Sequence, residues 1–288
     1  MKKLFMSGVA TSAVLLSAGL AQATPYAFAS NQITGLTLTT STGRITPTAF
    51  STSVSDSSEY AGFAPQTFAA GRGDTLAPLT ISQAYSGPNN PASVFAGFTP
   101  SGPGTFTGTR GNSSIGSGNA LNGGVPVNNV AEGYGQSIFG TSTANDKATI
   151  GFALTGAGAT VTLSFTDTVQ LIAATGLVLG ETANASVQNT FSVSDSTGTP
   201  IASFAPAFLN QTIGSANGSP ASTTIGPLTS NYSFTTPVLT AGQNYVLALT
   251  SSSGENLSSP SPVPEPATLA LFGTALFGLG ALRRRSNR

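Results

Sequence analysis

Histidine, cysteine and tryptophan are all absent from the 288 residues of this chain. Without histidine there is no Ser-His-Asp triad, no imidazole general base and no imidazole metal ligand. Without cysteine there are no disulfides, no thiolate metal sites and no cysteine nucleophiles. The sequence therefore predicts no catalytic residue, no metal site and no cofactor, and we expect that the protein is not an enzyme.

Charge is scarce as well, because only 7% of the residues are Asp, Glu, Lys or Arg. Six of the ten basic residues lie at the two ends of the chain, so residues 24–262 keep four basic residues against nine acidic ones, a net charge of −5. Binding to nucleic acid or to anionic lipid needs clusters of Lys and Arg. We therefore expect no nucleic-acid partner, and solubility has to come from Ser, Thr, Asn and Gln.

The N-terminal segment has the pattern of a secretory signal peptide. Lys2 and Lys3 precede an apolar stretch over 4–20, and Ala21-Gln22-Ala23 is a small-residue cleavage site. This order of elements predicts a signal peptide over 1–23 that is removed after Ala23. The partners at this step are the secretion translocon and signal peptidase. The alternative is an uncleaved N-terminal anchor.

The C-terminal segment has three elements in order: Val263-Pro264-Glu265-Pro266, an apolar run over 267–282, and a basic cluster formed by Arg283, Arg284, Arg285 and Arg288. Proline is tolerated at the first position of a helix and excludes helix upstream. We therefore predict a transmembrane helix over about 266–282, which at roughly 24 Å is short of the ~30 Å hydrocarbon core. By the positive-inside rule, the arginines over 283–288 face the cytoplasm and everything upstream lies on the other side.

These three elements together resemble the PEP-CTERM sorting signal of exopolysaccharide-producing Gram-negative bacteria, which is also catalogued as an ice-binding-protein C-terminal domain. The resemblance covers only residues 263–288. It implies that exosortase, a membrane protease, recognises and removes the tail. The body is thereby released from an inner-membrane intermediate to the cell surface or the extracellular matrix. The resemblance implies nothing about the activity of the body.

Short alternating segments separated by Gly, Pro, Ser and Thr dominate the body. Val161, Leu163 and Phe165 alternate with hydroxyl residues, segments 188–193 and 201–204 flank a polar loop, and 34–40 and 93–98 also have strand composition. Such short alternating runs predict half-buried antiparallel strands. Segments 232–239 and 245–249 are likewise predicted to be antiparallel strands around a turn at Ala241-Gly242. We expect an all-β, β-sandwich or jelly-roll-like body.

The expected domain boundaries follow from composition. The body is assigned to residues 24–250, with a long Gly/Asn/Ser-rich loop near 111–129. A flexible Ser/Pro-rich spacer is assigned to 251–262, ahead of the sorting signal at 263–288.

Several local patterns leave alternatives open. A glycosidase needs only two carboxyl groups at a set separation, and oxygen ligands can bind calcium, but no calcium-loop motif is present. Asp146, Asp167 and Asp195 lie at predicted strand ends or loops, where solvated turn caps are the commoner role.

Thr37 and Thr39 are similar to the threonine rows of ice-binding surfaces. Five tyrosines can take the place of tryptophan in stacking on sugars: Tyr60, Tyr85, Tyr134, Tyr232 and Tyr245.

The function expected from these observations is that of an exported, non-enzymatic structural or adhesive component of the cell surface or of the exopolysaccharide biofilm matrix. Exopolysaccharide is the expected partner of the body. The alternative is a module that binds carbohydrate or another ligand, with ice binding and glycan hydrolysis ranked behind it.

Overall fold

The computed structural model describes residues 24–73, 82–88, 106–113, 127–135, 139–176, 178–216 and 221–260. Within these residues the secondary structure is strand apart from one 3-10 turn, Ala207–Leu209. The strands are β1 Tyr26–Thr40, β2 Arg44–Tyr60, β3 Gln66–Gly73, β4 Ser82–Ser86, β5 Phe106–Ser113, β6 Val127–Tyr134, β7 Phe139–Thr155, β8 Val161–Thr175, β9 Thr182–Asp195, β10 Pro200–Phe204, β11 Gln211–Ala216, β12 Ala221–Thr235 and β13 Asn244–Ser258.

The strands form two antiparallel sheets. The six-stranded sheet has the order β12-β8-β1-β6-β5-β4. The seven-stranded sheet has the order β10-β9-β13-β7-β2-β3, and β11 pairs with β9. The sheets pack against each other, since Asn31 of β1 reaches Ser251 of β13 across the interior. The expected all-β body with two sheets is confirmed.

Strict alternation explains why these sequences form long strands. In β8 every odd-numbered residue from Val161 to Thr175 is buried and every even-numbered residue is half-exposed. A period of two places the apolar residues on one face of a strand. Full burial of a Val, Leu or Phe side chain is worth about 1.5–3 kcal/mol, which outweighs the weak β-propensity of the Ser and Thr residues between them.

The apolar core lies between the sheets. It includes Phe152 and Leu154 of β7, Leu163 and Phe165 of β8, and Phe191 of β9, each of them at most 3% exposed. Phe165 stacks on Phe191 with ring centroids 4.3 Å apart, and this contact joins the two sheets directly. Burial of this kind is the main favourable term in folding and needs no disulfide.

The predicted spacer over 251–262 is wrong for most of its length. Residues 251–258 belong to β13, which pairs with β7 on one side and with β9 on the other. Ser251, Ser253 and Leu257 point inwards and are fully buried. Small hydroxyl residues resemble a linker in composition, yet here they fill a narrow interior between two sheets. The body therefore extends to Ser258 instead of ending at residue 250.

Two further expectations need correction. The predicted loop over 111–129 is strand at both ends, because β5 continues to Ser113 and β6 begins at Val127. Strands β12 and β13 do not pair with each other: β12 pairs with β8 in one sheet, and β13 lies in the other. The turn at Ala241-Gly242 thus carries the chain between sheets. The predicted strand over 93–98 lies outside the described residues.

Candidate functional site

Polar side chains occupy one part of the sandwich interior. Ser251 Oγ accepts a hydrogen bond from the Asn129 amide at 2.8 Å and donates to the side-chain oxygen of Asn31 at 2.6 Å. Ser253 donates to Asn129, and the Asn189 amide donates to the Leu209 carbonyl at 3.1 Å. The network joins β1 and β6 of one sheet to β9 and β13 of the other. Buried polar groups that are satisfied in this way fix the relative position of the two sheets.

A buried carboxyl group adjoins this network. Asp167 of β8 is 1% exposed and lies 3.0 and 3.1 Å from the Asn31 amide, in the orientation that lets Asn31 donate to it and accept from Ser251. Burial raises the pKa of Asp167 to about 7, although backbone N–H groups of Thr168 and Gln32 oppose the rise. A carboxyl that gains a proton close to neutral pH makes the network sensitive to pH.

A second buried carboxyl belongs to Glu255 of β13. Its Oε1 accepts a 2.9 Å hydrogen bond from Ser142, and its Oε2 has no hydrogen-bond partner among the described residues. Burial, with a further contribution from Glu132, raises the pKa of Glu255 to about 8. The carboxyl points at Gly133 of β6, whose missing side chain leaves space for it: a Cβ there would lie 2.7 Å from Glu255 Cδ and 2.8 Å from Leu257 Cδ1.

We expect Gly133→Ala to destabilise the protein by about 1–3 kcal/mol, because the added methyl overpacks a closed interior. Adding Glu255→Ala should restore part of that loss, since it removes the carboxyl that the methyl meets. Gly71→Ala is the matched control, because a Cβ at this strand glycine meets neighbours only at 3.7 Å or more. Equilibrium unfolding of the exported protein, followed by circular dichroism, measures all of these effects. Equal losses in Gly133→Ala and the double variant would contradict this packing.

The carboxylates of the body are mostly internal. Six of the nine are at most 4% exposed: Asp56, Glu132, Asp146, Asp167, Glu181 and Glu255. The expectation of solvated turn caps holds for Asp195, whose Oδ1 accepts from the backbone N–H groups of Thr197 and Thr199 at 2.9 Å. It is wrong for Asp146 and Asp167, which lie within β7 and β8 and point inwards. Two carboxylates facing a solvent-filled cleft do not occur among these six side chains.

The outer face of the six-stranded sheet has a regular row of uncharged polar pairs, which we call the hydroxyl ladder. It consists of four β8 residues opposite four β12 residues: Thr162–Thr235, Ser164–Ser233, Thr166–Asn231 and Thr168–Thr229. Their side-chain oxygens are 2.9, 3.4, 2.7 and 2.9 Å apart. Two threonines of β1 lie beside the hydroxyl ladder. The Thr37 hydroxyl donates to the Ser164 carbonyl, and the Thr39 hydroxyl donates to the Thr162 carbonyl.

An open hollow of about 340 Å³ interrupts the hydroxyl ladder at its centre. Ser164, Thr166, Asn231 and Ser233 line it together with Gly35, Phe165 and Tyr232. Gly35 lies in the β-bulge of β1 with a φ of 65°. A glycine adopts this conformation without steric cost and adds no side chain to the hollow.

Chemically, the hydroxyl ladder offers donors and acceptors without any formal charge. Each hydroxyl can donate one hydrogen bond and accept two, so the surface suits neutral, hydroxyl-rich ligands as well as water. From sequence only the Thr37 and Thr39 pair was visible. The alternation within β8 was legible too, but most of β12 was not, nor was the pairing of these two strands, which are separated by more than 45 residues.

The tyrosines considered for stacking on sugars are mostly unsuited to it. Tyr60 and Tyr245 are buried at 6% and 4% exposure. Tyr134 is half-buried against Tyr26, with ring centroids 5.4 Å apart. Tyr232, beside the hydroxyl ladder, is half-buried against Phe165 at 5.3 Å. The side chain of Tyr85 lies outside the described part.

The predicted processing sites also lie outside the described residues. This applies to Ala21 and Ala23, to the tetrapeptide Val263, Pro264, Glu265 and Pro266, and to Arg283, Arg284, Arg285 and Arg288. It applies equally to the signal peptide over 1–23 and to the transmembrane helix over 266–282. Among the described residues there is no helix long and apolar enough to cross a membrane, and no group of three or more acidic residues that could hold a metal ion.

Comparison with protein-family models identifies a PEP-CTERM protein-sorting motif at residues 262–285. This finding confirms the resemblance of the tail and implies an exported protein that exosortase processes at the membrane. No curated protein and no solved structure matches the chain.

Proposed function

We propose that this exosortase-sorted, exported chain is a non-enzymatic structural or adhesive component of the cell surface or exopolysaccharide matrix. The hydroxyl ladder carries the proposal, because it is a regular, neutral and exposed hydrogen-bonding surface. Hydrated neutral polysaccharide presents the complementary hydroxyl groups. Uncharged donor and acceptor pairs of this kind favour many weak, parallel contacts, which is how an adhesive surface gains strength.

The burial of the carboxylates supports the non-enzymatic part of the proposal. Glycoside hydrolysis needs an acid and a base or nucleophile about 5–9.5 Å apart around a bound sugar. Asp167 and Glu255 are enclosed between the sheets and serve packing and hydrogen bonding there. Asp195 holds a turn. We therefore keep hydrolysis behind the adhesive role.

The second candidate is a carbohydrate-binding module, and the hollow in the hydroxyl ladder favours it. Gly35, Ser164 and Ser233 leave space at the surface, while Thr166 and Asn231 supply hydrogen-bonding groups at its rim. A hollow of this kind can seat one residue of a neutral sugar chain. The two candidates differ in specificity: a module selects one polysaccharide, whereas an adhesive surface retains several.

The test is retention of the exported protein on the polysaccharide of the producing cell, followed by a reducing-sugar assay. We expect retention without sugar release. Retention should persist at high salt, since the hydroxyl ladder has no charge to screen. Replacing Thr162, Thr168, Thr229 and Thr235 by Val should weaken it by at least about fivefold, because the variant loses four hydrogen-bonding groups on one face.

The matched control carries the same four substitutions on the outer face of the seven-stranded sheet, at Thr143, Thr149, Thr190 and Thr250. It should bind like the wild type. Release of reducing sugar would overturn the non-enzymatic proposal. Passage of the wild-type protein through the column would overturn the adhesive one. Retention of a single polysaccharide among several would favour the binding module.

A further inference from the structure

Strand β12 has an open edge. It pairs with β8 on one side, and no described strand pairs with it on the other. A bulge between Ile225 and Leu228 divides it in two. The first half lies close to β11, since Thr223 Oγ1 donates to the Gly214 carbonyl at 3.3 Å. The second half, residues 228–235, therefore presents one unpaired side along eight residues of strand, which we call the open edge.

Residues 228–235 themselves have little of the usual protection, and the bulge with Pro227 lies directly before them. Natural edge strands avoid pairing with other chains by charged residues, proline, bulges or short length. Residues 228–235 contain no charged residue and no proline. The other described edge strands are shorter or charged: β4 and β10 have five residues each, β11 has six, and β3 contains Arg72.

The open edge is also held rigidly in place. Tyr232 stacks on Phe165 at 5.3 Å and contacts Phe208 at 6.3 Å, and Phe234 stacks on Phe204 at 5.2 Å. These contacts anchor the strand to both sheets, so its backbone groups are preorganised and little further order is lost on pairing. Tyr232 and Phe234 remain half-exposed and would be covered further by a neighbouring strand.

We propose that the open edge pairs antiparallel with the open edge of a second copy of this chain, joining two six-stranded sheets into one. The partner is a second copy because the segment is complementary to itself. Pairing centred on Tyr232 places Asn231 opposite Ser233 and Thr229 opposite Thr235. These are the same classes of neutral side-chain pair that β12 already makes with β8. The hydroxyl ladder then continues across both copies.

The inference rests on the proposed structural function and supplies its partner. Main-chain hydrogen bonds across the new strand pair give affinity, and the alternation of hydroxyl and aromatic residues sets the register. Doubling the hydroxyl ladder also lets one assembly contact a polysaccharide through both copies at once, which raises avidity without a new kind of contact.

Sedimentation of the exported protein in polysaccharide-free buffer is the first measurement. We expect a concentration-dependent dimer. Asn231→Lys with Ser233→Lys should weaken it by at least about tenfold, because the pairing places lysines opposite each other. Gln188→Lys with Thr190→Lys on β9 is the control of equal charge, at exposed positions of an internal strand, and should dimerise like the wild type. A wild-type monomer, or equal effects of the two variants, would overturn the proposal.

Cysteine cross-linking keeps the test independent of any folding defect in the lysine variant, and the chain contains no cysteine to interfere. Opposed residues of an antiparallel pair have Cα atoms about 4.5–5.5 Å apart, within disulfide range. Mixing Asn231→Cys with Ser233→Cys should give a cross-linked dimer, and neither should form one as readily alone. Absence of the mixed cross-link would overturn the register. Because no polysaccharide is present, self-association can fail while polysaccharide retention still holds.

Discussion

The wild-type protein is expected to lose several kcal/mol of unfolding free energy as the pH rises from about 4 to about 8. Burial raises the pKa of Glu255 to about 8 and that of Asp167 to about 7, from ordinary values of 4.5 and 3.8. Between the ordinary and raised values the folded state binds protons that the unfolded state has released. Stability therefore falls with increasing pH through this window, by about 1.4 kcal/mol per pH unit for each such group.

Glu255→Gln is expected to remove the Glu255 share of this loss. The amide mimics the protonated carboxyl, and its carbonyl can still accept the Ser142 hydrogen bond. The variant should match the wild type within about 1 kcal/mol near pH 4 and exceed it by several kcal/mol near pH 9. Denaturant titrations of the variant and of the wild type at a series of pH values measure the difference.

A parallel pH profile of Glu255→Gln and wild type would contradict the enclosed position of this carboxyl. Asp167→Asn gives an independent comparison, because Asp167 contacts Asn31 and not Ser142. Burial raises the pKa of Asp167 to about 7. Below that pH, the unfolding free energy of Asp167→Asn should therefore fall less steeply with rising pH than that of the wild type.

The second large effect concerns the tail. Replacing Pro264, Glu265 and Pro266 by Ala is expected to abolish exosortase processing and leave the arginine-terminated segment attached. The residue before a proline favours an extended conformation, so we expect Val263 and Glu265 to keep the chain extended ahead of the predicted helix. Alanines let that helix extend towards the body. Processing should fall by at least about tenfold, measured by the electrophoretic mobility of the protein in membrane and surface fractions.

Pro260→Ala is the matched control, since this proline lies just ahead of the matched residues 262–285. It should be processed like the wild type. Normal processing of the triple-alanine variant would contradict the role of the tetrapeptide, and loss of processing in the control would show that the whole junction is sensitive to substitution.

The strands could be predicted from sequence because their signal is local. In β8, apolar residues alternate with Thr and Ser over residues 161–166, and β9 and β10 flank a turn organised by Asp195. What could not be predicted is which strands pair. The turn at Ala241-Gly242 looks like a hairpin, yet the strands on either side lie in different sheets. Pairing between distant strands depends on packing of the whole core, for which a local pattern contains no information.

The interior was misjudged for a related reason. Ser251, Ser253 and Glu255 alternate with small residues and look like linker, although they are the buried half of β13. Their burial is tolerated because Asn31 and Asn129 meet them from the facing sheet and Ser142 meets them from the adjacent β7. Gly133 likewise looks like a flexible position and is instead the space for a carboxyl. Composition identifies side chains as polar, but only the partner strand decides whether they are solvated.

Intact mass of the protein isolated from the surface of producing cells tests the central claim most directly. The account predicts a product that begins at Thr24 and lacks the arginine-terminated segment, so that only the two-sheet body acts outside the cell. A surface product whose mass includes Met1, or extends to Arg288 in cells that possess exosortase, would contradict it.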